Sequence, residues 1–191
     1  LMPRWLMIHL LLLGAATHAI LVWSQYFSFA LLRSRASLAD RRRENIRLIL
    51  ANVGAAMVLV GVPVNLWPVT LIGACALVIA VAWHAISIAL RLRRSLPGSF
   101  GRTVRFYIVA AVFLVAGATI GTIIALGESS SGFVLAHAIV NLFGWIGLTV
   151  AGTVVTLWPT ILRTRADEHA ARGSAQALPL LAGGVVVAAV G

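Results

Sequence analysis

The chain has 191 residues, 61% of them hydrophobic and only 10% charged, with a mean hydropathy of +1.00. That balance excludes an ordinary soluble domain, which needs far more polar surface, and places the sequence among polytopic membrane proteins. The net charge of +10 does not point to nucleic acid, because all fifteen basic residues are arginines and fourteen of them fall in three short stretches between apolar runs. Such a distribution is a membrane-topology pattern.

The expected fold is all-α, a polytopic transmembrane helix bundle with five complete spans and a truncated sixth. The first span, 5–32, carries His9, His18, Trp23 and Gln25 and stops at Arg33. Its following loop, RSRASLADRRRENIR, sets six arginines against Asp40 and Glu44, which predicts a cytoplasmic connection. The second span, 46–66, has Asn52 near its start and Gly61, Pro63 and Asn65 near its end; Trp67 and Pro68 then make a tight uncharged turn, as at an outer interface. The third, 69–90, contains Cys75 and His84 and leads into RLRRSLPGSFGRTVR, with five arginines. The fourth, 104–126, holds Gly117 and Gly121, a small-xxx-small pair that lets a neighbouring helix approach. After the arginine-free turn GESSSG, the fifth span, 133–162, meets RTRADEHAAR; residues 177–191 then form an apolar run short of the roughly 20 residues a crossing needs.

With the arginine-rich loops inside, the chain starts on the outer side and no span violates the rule. The expected location is a bacterial cytoplasmic membrane, crossed several times. The start at Leu1 and the short last run read as a piece of a longer protein; a signal peptide is a poor reading of 5–32, since no small-residue cleavage site precedes the arginines. Gly14 and Arg33 are nineteen residues apart, as are Gly144 and Arg163, and Leu12 and Leu32 match Leu142 and Leu162 in that register. The offset is 130 residues, or four helices, and suggests an internal repeat.

Five histidines are the chemically informative residues. Neutral imidazole is a common ligand for haem iron and copper, and the membrane interior favours the neutral form. His9, His18, His84 and His137 fall in spans, whereas His169 is expected to be solvated in a basic loop. His9 and His18 are roughly 180° apart on one helix, so at most one can share a centre with His137. Depth selects His9, because both it and His137 lie towards the outer ends of their spans. His137, Asn141, Gly144 and Leu148 share one helix face. Cys75, alone, supports neither a disulfide nor a thiolate site and reads as a small buried hydrophobe. No carboxylate falls inside a predicted span, and there is no phosphate loop, zinc cluster or nucleophile triad.

The pattern His137, Asn141, Leu142, Gly144, Trp145 resembles the helix beginning His-x-x-x-Asn-Leu-x-Gly-Trp of nitric-oxide-response haem-copper membrane proteins, divergent relatives of haem-copper oxidase subunit I. HLLLLGAATHAILVWSQYF and NLFGWIGLTVAGTVVTLWPTILRTR look like the membrane region found ahead of cupredoxin domains in bacterial membrane-bound multicopper oxidases. The resemblance implies helices repeated in groups of four and haem or copper ligands on the outer side, carried here by His137 and His9 with Asn141 supporting them. It also implies an extracytoplasmic cupredoxin domain on the same chain, and the lipid bilayer as the other partner. A His-His pair and a tyrosine beside a histidine are absent, so oxygen reduction is not expected. The function implied is electron transfer or copper or haem handling, as part of an oxidoreductase. The alternatives are a non-catalytic membrane anchor and a small-molecule permease.

Overall fold

The computed structural model describes residues 2–95, 101–127, 130–163 and 170–191; His169, Glu128 and parts of the second and third arginine-rich connections lie outside them. The described residues are helical, without a strand. Six helices among them are long and apolar enough to cross a membrane: Met2–Leu31, Leu38–Gly61, Trp67–Arg94, Thr103–Ala125, Ser131–Val155 and Gly173–Val190. The chain is a multi-pass, all-α membrane protein. These helices are called the first to sixth spans below.

Several boundaries differ from the hydropathy reading: Trp67 and Pro68 open the third span, Trp67–Arg94, instead of making the turn before it, because proline suits the first turn of a helix, and three further differences have local reasons. The second span begins at Leu38 rather than Ile46, because Ser37 and Asp40 form a capping box: the Asp40 N–H donates to Ser37 Oγ (3.1 Å) and the Ser37 N–H to Asp40 Oδ2 (3.0 Å). Asp40, Glu44 and the three arginines 41–43 are therefore helical residues, not loop residues, at the end of a spanning helix. The same span stops at Gly61, since Asn65 takes a left-handed φ of 55° and the Leu66 N–H returns to the Gly61 carbonyl at 2.9 Å. The sixth helix runs Ala170–Val190 instead of 177–191, with Pro179 inside it, because the alanine-rich segment ahead of the apolar run has high helix propensity.

The core of the bundle combines Leu21, Leu77, Val81, Phe106, Ala110, Trp145 and Leu148. The second and third spans touch most closely. A Cβ added at Gly54 would lie 2.7 Å from the Gly73 carbonyl oxygen, and one at Gly73 would lie 2.7 Å from that of Gly54. Small residues at the contact let the backbones meet, which is how spanning helices gain packing where lipid removes the hydrophobic incentive. Leu11, Ile49, Ile79 and Val112 point outward, as expected of a surface solvated by acyl chains. Cys75 also points outward, so it is not the buried filler expected of it.

The first and fifth spans share an unusual backbone. Each contains a π-helical segment, Leu10–Ala16 in the first and Val140–Gly147 in the fifth, so the segments begin 130 residues apart. Two residues after the last helical residue, Leu31 or Ile161, each carries an arginine with a left-handed φ, 50° at Arg33 and 53° at Arg163, again 130 apart. Left-handed non-glycine residues are rare, and only Asn65 is another among the described residues. In this register Arg35–Ala36, Gly54 and Gly61 match Arg165–Ala166, Gly184 and Gly191, which carries the correspondence into the second and sixth spans.

Candidate functional site

His9 and His137 meet at the end of the bundle opposite the arginine-rich turns. They stand seven and six residues beyond the first described residues of their spans, Met2 and Ser131, or roughly 10 Å along each helix axis. Their rings are near-parallel, with centroids 6.2 Å apart and 18° between planes. Both residues are half-buried.

Each ring is oriented through Nδ1. The His9 Nδ1–H donates to the Trp5 carbonyl at 2.9 Å, one helical turn back, and the Trp5 indole stacks on the imidazole at 4.1 Å. The His137 Nδ1–H donates to the Gly117 carbonyl of the fourth span, also at 2.9 Å. A carbonyl can only accept, so these contacts assign the hydrogen to Nδ1 in both neutral rings and leave Nε2 with an unshared lone pair. Metal-ligating histidines are oriented in the same way, through a carbonyl or carboxylate on the other ring nitrogen.

Asn141 supports this arrangement through the backbone. Its Nδ2 lies 2.7 Å from the His137 carbonyl oxygen and 3.3 Å from His137 Nδ1. Since Nδ1 carries the hydrogen given to Gly117, it cannot also accept, and the carbonyl is the partner. That bond sits where the π-helical segment of the fifth span begins, and a side chain bonded to a helical carbonyl is a recognised cause of such irregularity. In the first span, Thr17 Oγ1 donates to Leu12 O at 2.9 Å and accepts from Trp145 Nε1 at 3.2 Å. The two irregular segments are thus joined by a buried hydrogen bond.

The small-xxx-small pair of the fourth span has a more particular use than helix approach. A Cβ at Gly117 would fall 2.4–2.6 Å from side-chain atoms of Asn141, and one at Gly121 would fall 2.7 Å from His137 Cε1. The glycines make two notches that seat the polar side chains. Gly144 faces Phe113 and Leu148 is 2% exposed, so the face from His137 to Leu148 is the one turned to the fourth span and the core.

The other membrane histidines go elsewhere. His18 Nδ1 meets the Asn52 side-chain amide of the second span, with Nδ2 at 3.0 Å and Oδ1 at 3.2 Å. His84 Nε2 meets Ser24 Oγ at 2.8 Å in the buried interior. Backbone acceptors at Trp5 and Gly117 escaped sequence reasoning, as did the Trp145–Thr17 bond.

Two imidazoles on one ion, with metal–nitrogen bonds of about 2.0–2.1 Å, have centroids no more than roughly 6.5 Å apart. The observed 6.2 Å falls within that reach. Among the described residues no group of three or more His, Cys, Asp or Glu is placed to hold a metal ion. A metal at this pair would take two protein nitrogens and complete its coordination from another source, such as the four nitrogens of a porphyrin. Comparison with protein-family models, with curated proteins and with solved structures returned no match for the chain.

Proposed function

We propose that the chain is the membrane part of a haem-copper-oxidase-like redox protein, in which His9 and His137 hold haem iron or copper near the outer face. The observation that carries this reading is the shared tautomer: two half-buried imidazoles at matched depth, each tied by Nδ1–H to a carbonyl, each keeping Nε2 available. The resemblance of the first and fifth spans to the membrane regions of multicopper oxidases supports it. Haem iron or copper would supply one-electron chemistry. The chain's own residues orient the two rings, cover one face of His9 with the Trp5 indole, and fix the Nδ1 hydrogens through Trp5 O and Gly117 O. In this role the protein serves electron transfer or copper or haem handling beside an extracytoplasmic cupredoxin domain of the same chain, in a bacterial cytoplasmic membrane.

The test is absorbance and metal content of the protein purified from cells supplied with haem and copper. The reading predicts a Soret band or stoichiometric copper in the wild type that is lost in His137→Ala. A colourless, metal-free wild type would overturn it. That outcome would leave the membrane-anchor reading, which the existing carbonyl partners of both rings favour: each histidine would then do no more than tie helix to helix or turn to turn.

A further inference from the structure

At the opposite end of the bundle, the first three spans and Gly101, just ahead of the fourth, line a partly open cavity of about 820 Å³. Five arginines, Arg33, Arg43, Arg47, Arg91 and Arg94, line it against one carboxylate, Asp40. We propose that this cavity binds an anionic phosphate group, either the headgroup of an acidic phospholipid or a soluble phosphate compound.

Arg47 carries most of the argument. It is 5% exposed, inside a spanning helix, where a guanidinium is expensive to bury. Its Nη1–H donates to Ser87 Oγ at 2.7 Å and its Nη2–H to Gln25 Oε1 at 3.1 Å, with the guanidinium 5.9 Å from the Trp83 ring centre. All these partners are neutral, so the charge has no direct counter-ion. They hold the side chain in one position at the cavity wall. Arg91 is poised similarly: it lies 3.6 Å over the Phe29 ring, reaches Ser34 at 3.4 Å and Asp40 at 3.3 Å, and its Nε is buried with no hydrogen-bond partner among the described residues. The Arg91–Asp40 contact is the one ion pair among the described residues.

Charge accounting leaves a clear excess. Five arginines against Asp40, and against Glu44 whose carboxylate feels Arg47 and Arg91, leave three positive charges without a carboxylate. Arg43 and Arg47 are one helical turn apart on the second span, as Arg91 and Arg94 are on the third, so two facing pairs of forks converge on the same space. Guanidinium forks match phosphate oxygens in pairs, and basic pockets between spanning helices at the arginine-rich side suit headgroups. Leu31, Ile86 and Leu90 complete the lining with apolar surface on which an acyl chain can lie.

The experiment is thermal unfolding of the intact purified chain in detergent at constant ionic strength, titrated with dioleoylphosphatidylglycerol, dioleoylphosphatidylcholine or inorganic phosphate. Phosphatidylglycerol is expected to raise the unfolding midpoint at lower concentration than phosphatidylcholine. Arg94→Gln, at the exposed rim, should weaken that effect about fivefold. Arg93→Gln, on the same helix but outside the lining, should leave it unchanged and serves as the charge control. The same variant pattern with inorganic phosphate would support the site with a soluble ligand as its source. Equal losses in the two variants, or no preference of either phosphate probe over phosphatidylcholine, would overturn the proposal.

Discussion

The first and fifth spans share two unusual backbone features and carry different polar side chains. Both contain a π-helical segment that begins at the same place in a 130-residue register, and both helices are followed by a left-handed arginine. Polar contacts of the first pair of spans, however, disappear from the second pair together with their partners. His18 and Asn52 are bonded, and the corresponding residues are Leu148 and Ala182; Gln25 and Arg47 are bonded, and the corresponding residues are Val155 and Ala177. Conversely, His137, Asn141 and Trp145 stand where the first span has Met7, Leu11 and Ala15. A buried polar group without its partner is costly in the bundle interior, so the members of a pair are kept or replaced jointly. The comparison separates a common scaffold from two sets of chemistry: an arginine-centred set in the first half, and a histidine set that the second half shares with His9.

Five variants test that comparison, each read as a change in unfolding free energy in detergent or bicelles. Trp145→Ala should have the largest effect, about 3–5 kcal/mol, because a fully enclosed indole is lost along with the bond to Thr17 that joins the two halves. Gln25→Val places the second-half residue beside an arginine that still needs it and should cost about 1.5–3 kcal/mol. Adding Arg47→Leu should recover most of that loss; a double variant as unstable as the single one would contradict joint replacement. Gly117→Ala should cost about 1–3 kcal/mol by crowding Asn141 out of its notch. The smallest effect belongs to the His18→Leu, Asn52→Ala pair, which imposes the second-half residues and should change stability by about 0.6 kcal/mol, an average interhelical bond.

Five of the six helices were legible because apolar runs of spanning length are hard to mistake, whereas the sixth read as too short to cross because its helix starts at Ala170, ahead of the apolar run. The start of the second span was not, since the Arg41–Arg43 run looks like a loop unless the Ser37, Asp40 cap is weighed first. For the same reason Arg47 passed as one more topological charge, although its spacing of four, seven and eight from Ala51, Gly54 and Ala55 places it on the inward face. Depth, which the helix starts define, paired His9 with His137 in the sequence, but the contact of their rings comes from the packing of the first and fifth spans. What orients them does not follow, because the acceptors are the carbonyls of Trp5 and Gly117, and a backbone oxygen leaves no signature in a residue name. The π-helical segments were equally hidden; only the matched pairs Leu12 and Leu142, and Gly14 and Gly144, fall within them in the sequence.

The central claim is that His9 and His137 hold one and the same metal. Low-temperature electron paramagnetic resonance of the oxidised protein from haem- and copper-supplied cells, with His9→Ala and His137→Ala prepared in parallel, tests it most directly. A ferric haem or cupric signal that shows histidine nitrogen coordination is expected in the wild type and is altered in both variants. A wild type without a signal, or a signal that survives unchanged in either variant, would contradict it.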